Sequence, residues 1–392
     1  MERTVAVKQQ ELHEDEIALG GADVVHAFDW PKERVGERQF LTALLETDSR
    51  AFVANVTTEF QILRFGSRFF PVTINESNYA DSWVCSPYNA TITYPLDELQ
   101  QIGSSIIRGS VAGLIHAVAP LLKAARINRV VGVNNGLLST NLYPTWDGVG
   151  LERLTSMLQQ RWPRHAIVFR SLNALTNGPL LTRLKEAGYL LLPGRQVYLC
   201  LDLHAAHQKQ NSEIDRNLLT KKTGYRVVRD AELTSDDVPR IRELYDQLYL
   251  QKYSLHNPQF TEDLIRLWQR TGLMKLIGLR NSNGILDGIV GCLGMGKTMT
   301  TPLIGYDLAL PRKLGLYRML TALVFQEARE TGRILNLSAG AAQFKRHRGG
   351  EAQIEYSAVY IAHLPVFQRA VWASLGGLLR HVGVRILQTY EL

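Results

Sequence analysis

Apolar positions in this chain fall into short strand-like runs and longer helical ones, and the alternation occurs twice. From Ala51 onward, FVANV, EFQILRFG and RFFPVTIN are β-branched or aromatic runs broken by Thr, Gly and Asn, which predicts strands. Leu96–Gln101 and Ser104–Arg126 read as helices, and RVVGV (129–133) as a short buried strand closing on Asn134-Asn135-Gly136. A helix is predicted over Leu151–Arg161, a strand over Ala166–Phe169, a helix over Pro179–Glu186 stopped by Gly188, and a strand over Gln196–Leu203. The pattern restarts with the strand 225–229 and a helix from Thr234 or Ser235 that sets Val238, Ile241, Leu244, Tyr245 and Leu248 on one face. Phe260–Arg270 is a second helix. LMKLIGL and ILDGIVGCLGM are then strands joined at Asn281–Gly284, whose Asn-Gly pair signals a hairpin.

The densest information lies in Gly305–Tyr360. A strand from Thr300 to Leu308 enters a Pro- and Gly-marked loop. Leu316, Met319, Leu320 and Leu323 then share one helical face, and Thr331-Gly332 ends that helix. Ile334–Leu337 is too short for a helix and reads as a buried strand, followed by a small-residue turn, a basic cluster and another strand. Setting RVVGVNNG (129–136) against RILNLSAG (333–340) without a gap matches Arg and Gly at the ends, with a helix before each strand. Two copies of one α/β unit are expected. Residues 1–48 are expected to be a peripheral segment, 49–207 the N-terminal domain, 208–223 a polar linker, and 224–392 the C-terminal domain.

Composition adjusts this picture only slightly. The 392 residues are enough for two domains, and 45% hydrophobic with 21% charged residues exclude wholesale disorder. A formal charge of +7 permits a polyanionic partner. Cys85, Cys200 and Cys292 show no CxxC spacing, which argues against a disulfide framework or zinc ribbon and for a reducing, cytoplasmic setting. His204 and His207 have ligand spacing but no third partner near them, so no metal is expected. The polar, acidic N-terminus lacks a signal-peptide core. No run reaches the roughly 18 consecutive apolar residues of a membrane span, so no membrane partner is expected.

Gly291–Thr298 satisfies GxxxxGK[ST] letter for letter, yet Thr298 is followed by Met-Thr-Thr-Pro302, a β-branched and then broken run. A phosphate loop needs its Lys and Thr to open a helix. A strand pair fits these residues better.

The order strand, two helices, antiparallel strands, loop, helix, strand, helix, strand over residues 224–362 resembles the GNAT superfamily of N-acyltransferases. In that superfamily a [RQ]xxGx[GA] loop holds the pyrophosphate of acyl-coenzyme A. Here Arg312-Lys313-Leu314-Gly315-Leu316-Tyr317 supplies the Arg and first Gly, with Tyr317 in place of the final small residue. LNLSAGAAQFKRHRGG resembles a divergent GNAT branch, though Asn336-Leu337-Ser338 replaces a stretch that often carries Asp. The tandem halves resemble the Fem-type aminoacyl-tRNA-dependent transferases.

The resemblance implies a mixed α/β protein of two tandem GNAT-like domains, with acyl-coenzyme A as co-substrate held at Arg312, Lys313, Gly315, Leu316 and Tyr317. Proton transfer would fall to Tyr306, Asp307, Ser338 or Glu355, although each reads equally as a structurally satisfied group. Asn134 and Asn135 follow a predicted strand, as do Ser139–Asn141 and, in the next one, Arg170, Ser171 and Asn173; polar groups there would line an acceptor pocket. Lys345 and Arg346 head the densest basic run, a candidate substrate site or a solvated face. Three functions follow: direct N-acyl transfer from coenzyme A or an acyl-carrier protein to a small amine or amino acid; transfer from aminoacyl-tRNA; and a non-catalytic binding protein.

Overall fold

The computed structural model describes residues 16–101, 103–221 and 224–390. Residues 1–15 of the expected peripheral segment, 222–223 of the expected linker and 391–392 of the C-terminal domain lie outside the described residues.

Twelve strands form one mixed sheet. They are β1 (Ile17–Gly20), β2 (Glu59–Phe65), β3 (Arg68–Asn75), β4 (Val130–Val133), β5 (Ala166–Leu172), β6 (Leu190–Cys200), β7 (Arg226–Arg229), β8 (Met274–Arg280), β9 (Leu286–Met295), β10 (Thr298–Tyr306), β11 (Ile334–Asn336) and β12 (Glu351–Tyr360). Their spatial order is β1-β2-β3-β4-β5-β12-β6-β11-β10-β9-β8-β7. Adding six to each strand number in the first half gives the order read from the opposite end, so a pseudo-twofold axis passes between β12 and β6. The five helices used below are α1 (Ser105–Ala124), α2 (Leu151–Arg161), α3 (Val238–Asp246), α4 (Leu316–Thr331) and α5 (Val366–Leu378).

Each half is an antiparallel meander leading to a single parallel pair, β4 with β5 and β10 with β11. The pairs are bridged by α2 and α4, and each helix opens after a left-handed glycine, Gly150 (φ 81°) and Gly315 (φ 72°). Such backbone favours a residue without Cβ. This is a mixed α/β architecture of two repeated halves. The internal alignment, however, needs correcting. The gap-free match of 129–136 with 333–340 equates β4 with β11, whereas the topology equates β4 with β10 and β5 with β11. Ser171 (φ 63°) and Ser338 (φ 58°) then become counterparts at the ends of β5 and β11. The mismatch arose because short buried strands closing on a small polar turn look alike. Asn134 is also left-handed, at φ 58°.

The last strand of each half lies among strands of the other. β6 sits between β12 and β11, and β12 sits between β5 and β6. Neither half therefore completes its sheet alone, and one core cluster joins Trp83, Val84 and Leu137 to Leu244, Tyr245 and Leu276. Residues expected to be peripheral supply β1, paired with β2, and the helix Val35–Glu46 with buried Leu41 and Leu44. The expected linker is helical over Gln210–Lys221, just after the short helix Leu203–Gln208. The Gly291–Thr298 motif is the end of β9 and start of β10, an antiparallel hairpin with Met295 opposite Thr298. No helix begins there.

Gly305 shows how tightly α3 lies on β10: a Cβ at this position would collide with backbone atoms of Leu244 and Tyr245. Because backbone cannot rotate aside as a side chain can, Gly305→Ala is expected to lower stability by about 3 kcal/mol or more, read by urea denaturation.

By length and composition α1 is a helix able to cross a membrane, and only 11% of it is buried. The sequence expectation counted His116, Pro120 and Lys123 as breaks in an apolar run, yet they leave the helix apolar on average.

Candidate functional site

The strands on either side of the pseudo-twofold bring Arg195 of β6 opposite Glu355 of β12. Glu355 is only 5% exposed. Arg195 donates to Glu355 Oε1 through Nη2 at 2.6 Å and Nε at 3.1 Å. Its Nη2 also reaches the carbonyl of Ser139 at 2.9 Å and Thr140 Oγ1 at 3.1 Å, while Nη1 lies 3.5 Å from Ser338 Oγ. Thr140 Oγ1 and Ser338 Oγ are 3.4 Å apart, so the turns after β4 and β11 meet here. Glu355 Oε2 is buried and has no hydrogen-bond partner among the described residues. An unpaired buried carboxylate oxygen is costly, which makes it the open valence of this cluster.

Trp83 closes the cluster. The guanidinium of Arg170 lies 4.9 Å from its ring centroid and that of Arg195 lies 5.1 Å away. Trp83 Nε1 donates to Asn257 Oδ1 at 3.0 Å, fixing a ring from the first half with a side chain from the second. Burial, reinforced by the charge of Arg195, lowers the pKa of Arg170 to about 10.

Lys345 is buried in the short helix Ala342–Arg346 and donates to the carbonyls of Ser338 at 3.1 Å and Ala339 at 2.7 Å. Burial, with Arg195 nearby, pushes its pKa down to about 7. Unfolded lysine titrates near 10.4, so between these values the unfolded chain binds more protons and stability rises with pH. Lys345→Met is expected to remove this slope, worth up to about 1.4 kcal/mol per pH unit between about pH 7 and 10. Urea denaturation of both proteins at stepped pH reads the difference.

The other expected site residues divide. Asp307 is held by two bonds: Oδ2 accepts from Arg240 at 2.6 Å and Oδ1 from the Ala309 amide at 2.9 Å. Tyr306 is half-buried, and burial raises its pKa. Its ring lies 6.0 Å from Tyr317, which packs on Phe344 at 4.8 Å. Tyr317 is thus committed to an aromatic group that spans from the end of β10 to the helix after β11. Gly315 caps α4, and no side chain caps that helix, so its first-turn amides lack intrahelical partners. Arg312 and Lys313 are exposed beside them, and Leu316 is core. The α4 N-terminus thus fits a phosphorylated co-substrate by its free donors and adjacent cations.

Asn134 and Asn135 hold their own turn. Asn134 Nδ2 donates to the Leu142 carbonyl at 2.8 Å, and Asn135 Nδ2 to the Val84 carbonyl at 3.0 Å. The basic run splits by helical spacing, with Lys345 and Arg348 buried and Arg346 exposed 5.8 Å from the Tyr198 ring. Arg348 pairs with buried Asp215 at 2.6 Å. Arg195 and Trp83 were missed. Arg195 had a signal: it is the one charge within the apolar strand LLLPGRQVYLC. Among the described residues no three His, Cys, Asp or Glu side chains gather to hold a metal ion. All three cysteines are buried.

No family model matches the chain, and no curated protein matches it in sequence. Among solved structures it is similar to a tandem GNAT protein from the clavulanic acid biosynthesis pathway, at 10% identity and TM-score 0.40, covering 88% of this chain and 98% of that one. FemX is similar at 11% identity and TM-score 0.46, over 57% of this chain and 78% of that one. L-PGS from Bacillus licheniformis is similar at 15% identity and TM-score 0.43, over 63% and 82% respectively. At these values the likeness assigns no activity.

Proposed function

We propose that the protein is an N-acyltransferase that moves an acyl group from a thioester, acyl-coenzyme A or an acyl-carrier protein, to a small amine or amino acid. The observation that carries this reading is Glu355, with one oxygen fixed by Arg195 and the other buried without a partner among the described residues. A carboxylate oriented in this way has the lone pairs of Oε2 open, and an amine could donate to one of them.

In the proposed step the amine nitrogen attacks the thioester carbonyl carbon, the carbon–sulfur bond breaks, and the sulfur leaves as a thiolate. Glu355 takes the proton lost by the amine, and the thiolate is protonated on release. No covalent enzyme intermediate forms. In this scheme Ser338 Oγ and the Arg195 guanidinium would donate to the negative charge that develops on the carbonyl oxygen. Arg312, Lys313 and the amides of Leu316 and Tyr317 would hold the phosphates of a coenzyme A donor. Asp307 has no part in proton transfer in this scheme.

Thiol release from acyl-coenzyme A that depends on an added amino-acid mixture tests the reading. Amine-independent release, or none with any chain length or with an acyl-carrier thioester, would refute it. Ribonuclease-sensitive transfer in an aminoacylation mixture would instead select aminoacyl-tRNA as donor.

A further inference from the structure

Segments of α1, α5 and the stretch after α5 join the sheet in lining a cavity of about 240 Å³. Ile115 and Val118 of α1, Val168 of β5, Leu192 of β6, and Trp372 and Leu379 line its body. Arg170 joins the lining beside Trp83, 4.9 Å from its ring centroid, and beside Asn135, and Glu98 also lines the cavity. Arg170 uses only Nη1 for its bonds, to the Val84 carbonyl at 2.7 Å and Asn135 Oδ1 at 3.4 Å. Its Nε and Nη2 are without a hydrogen-bond partner among the described residues. A long apolar body with a guanidinium in its lining fits a molecule of the same design.

We propose that this cavity binds a linear acyl chain, its hydrocarbon lying under α1 and its carbonyl end directed to Arg170. The inference rests on the acyl-transfer reading for its link to Glu355: Trp83, beside Arg170, carries Arg195 against its ring, and Arg195 holds Glu355. Length follows from volume. An apolar cavity of roughly 150 Å³ holds a six-carbon ring, so this one holds about ten carbons by proportion. The weak burial of α1 suits a cover that lifts to admit the chain.

Hexanoate, octanoate, decanoate and dodecanoate, titrated into the full chain, test this by calorimetry and by Trp fluorescence, since Trp83 and Trp372 line the cavity. Affinity is expected to rise roughly fourfold per methylene up to about ten carbons and then level. Ile115→Trp fills the cavity from a half-buried position on α1 and is expected to weaken decanoate binding at least about tenfold. Arg170→Gln is expected to weaken decanoate and leave decanol unchanged. Affinity independent of length, or unchanged by Ile115→Trp, would overturn the proposal. So would binding to phosphatidylcholine vesicles without saturable one-to-one binding of decanoate, because the apolar helices would then serve a bilayer. Fatty acids bind here without any transfer step, so absence of thiol release leaves this test standing.

Discussion

Glu355→Gln is expected to lower amine-dependent thiol release by about 10²–10⁴-fold, the usual contribution of a positioned general base. The amide keeps the shape of the carboxylate and still accepts from Arg195, but it takes no proton from an attacking amine. Weakening a charge-assisted bond to Arg195 also costs stability, about 1.5–3 kcal/mol. Rates must therefore be compared well below the melting transition, with circular dichroism showing an intact fold. A folded Glu355→Gln protein with wild-type rate would remove Glu355 from the chemistry. A rate that falls while the bell-shaped pH profile also loses its acid limb would support it.

The largest stability effect is expected at the partner. Arg195→Met leaves the buried Glu355 carboxylate without its ion-pair partner. Breaking such a pair from one side costs about 3–5 kcal/mol. The double variant Arg195→Met/Glu355→Met removes both charges and replaces them with apolar groups of similar reach, so it is expected to recover most of that loss. Four urea denaturation curves complete the cycle. A double variant as unstable as the sum of the singles would mean that the two side chains act independently, contrary to their 2.6 Å bond.

Much of the architecture was legible because it is local. The hairpin at Asn281–Gly284 follows from an Asn-Gly turn: the Asn281 side chain accepts from the Asn283 and Ile285 amides, closing the loop upon itself. The helix after Gly315 follows from its apolar face, with Leu316, Met319, Leu320 and Leu323 all buried. The Gly-Lys-Thr match lies on a hairpin because the residues after it are β-branched and then broken by Pro302. The basic run was not legible in the same way. Helical spacing put Lys345 and Arg348 inside, and the groups that receive them, two turn carbonyls and Asp215, come from elsewhere in the chain.

The sequence by itself determined most element types, that an α/β unit occurs twice though not its register, and the candidacy of Glu355 and Ser338, because periodicity, capping and turn chemistry act over a few residues. Only the tertiary structure decided that β6 and β12 exchange places between the halves. That exchange sets Arg195 against Glu355 across 160 residues of chain. Only the structure, too, paired Asp307 with Arg240 and left a cavity beneath α1. The physical reason is the same in each case: which charge is neutralised, and which apolar face is covered, depends on neighbours that sequence separation conceals.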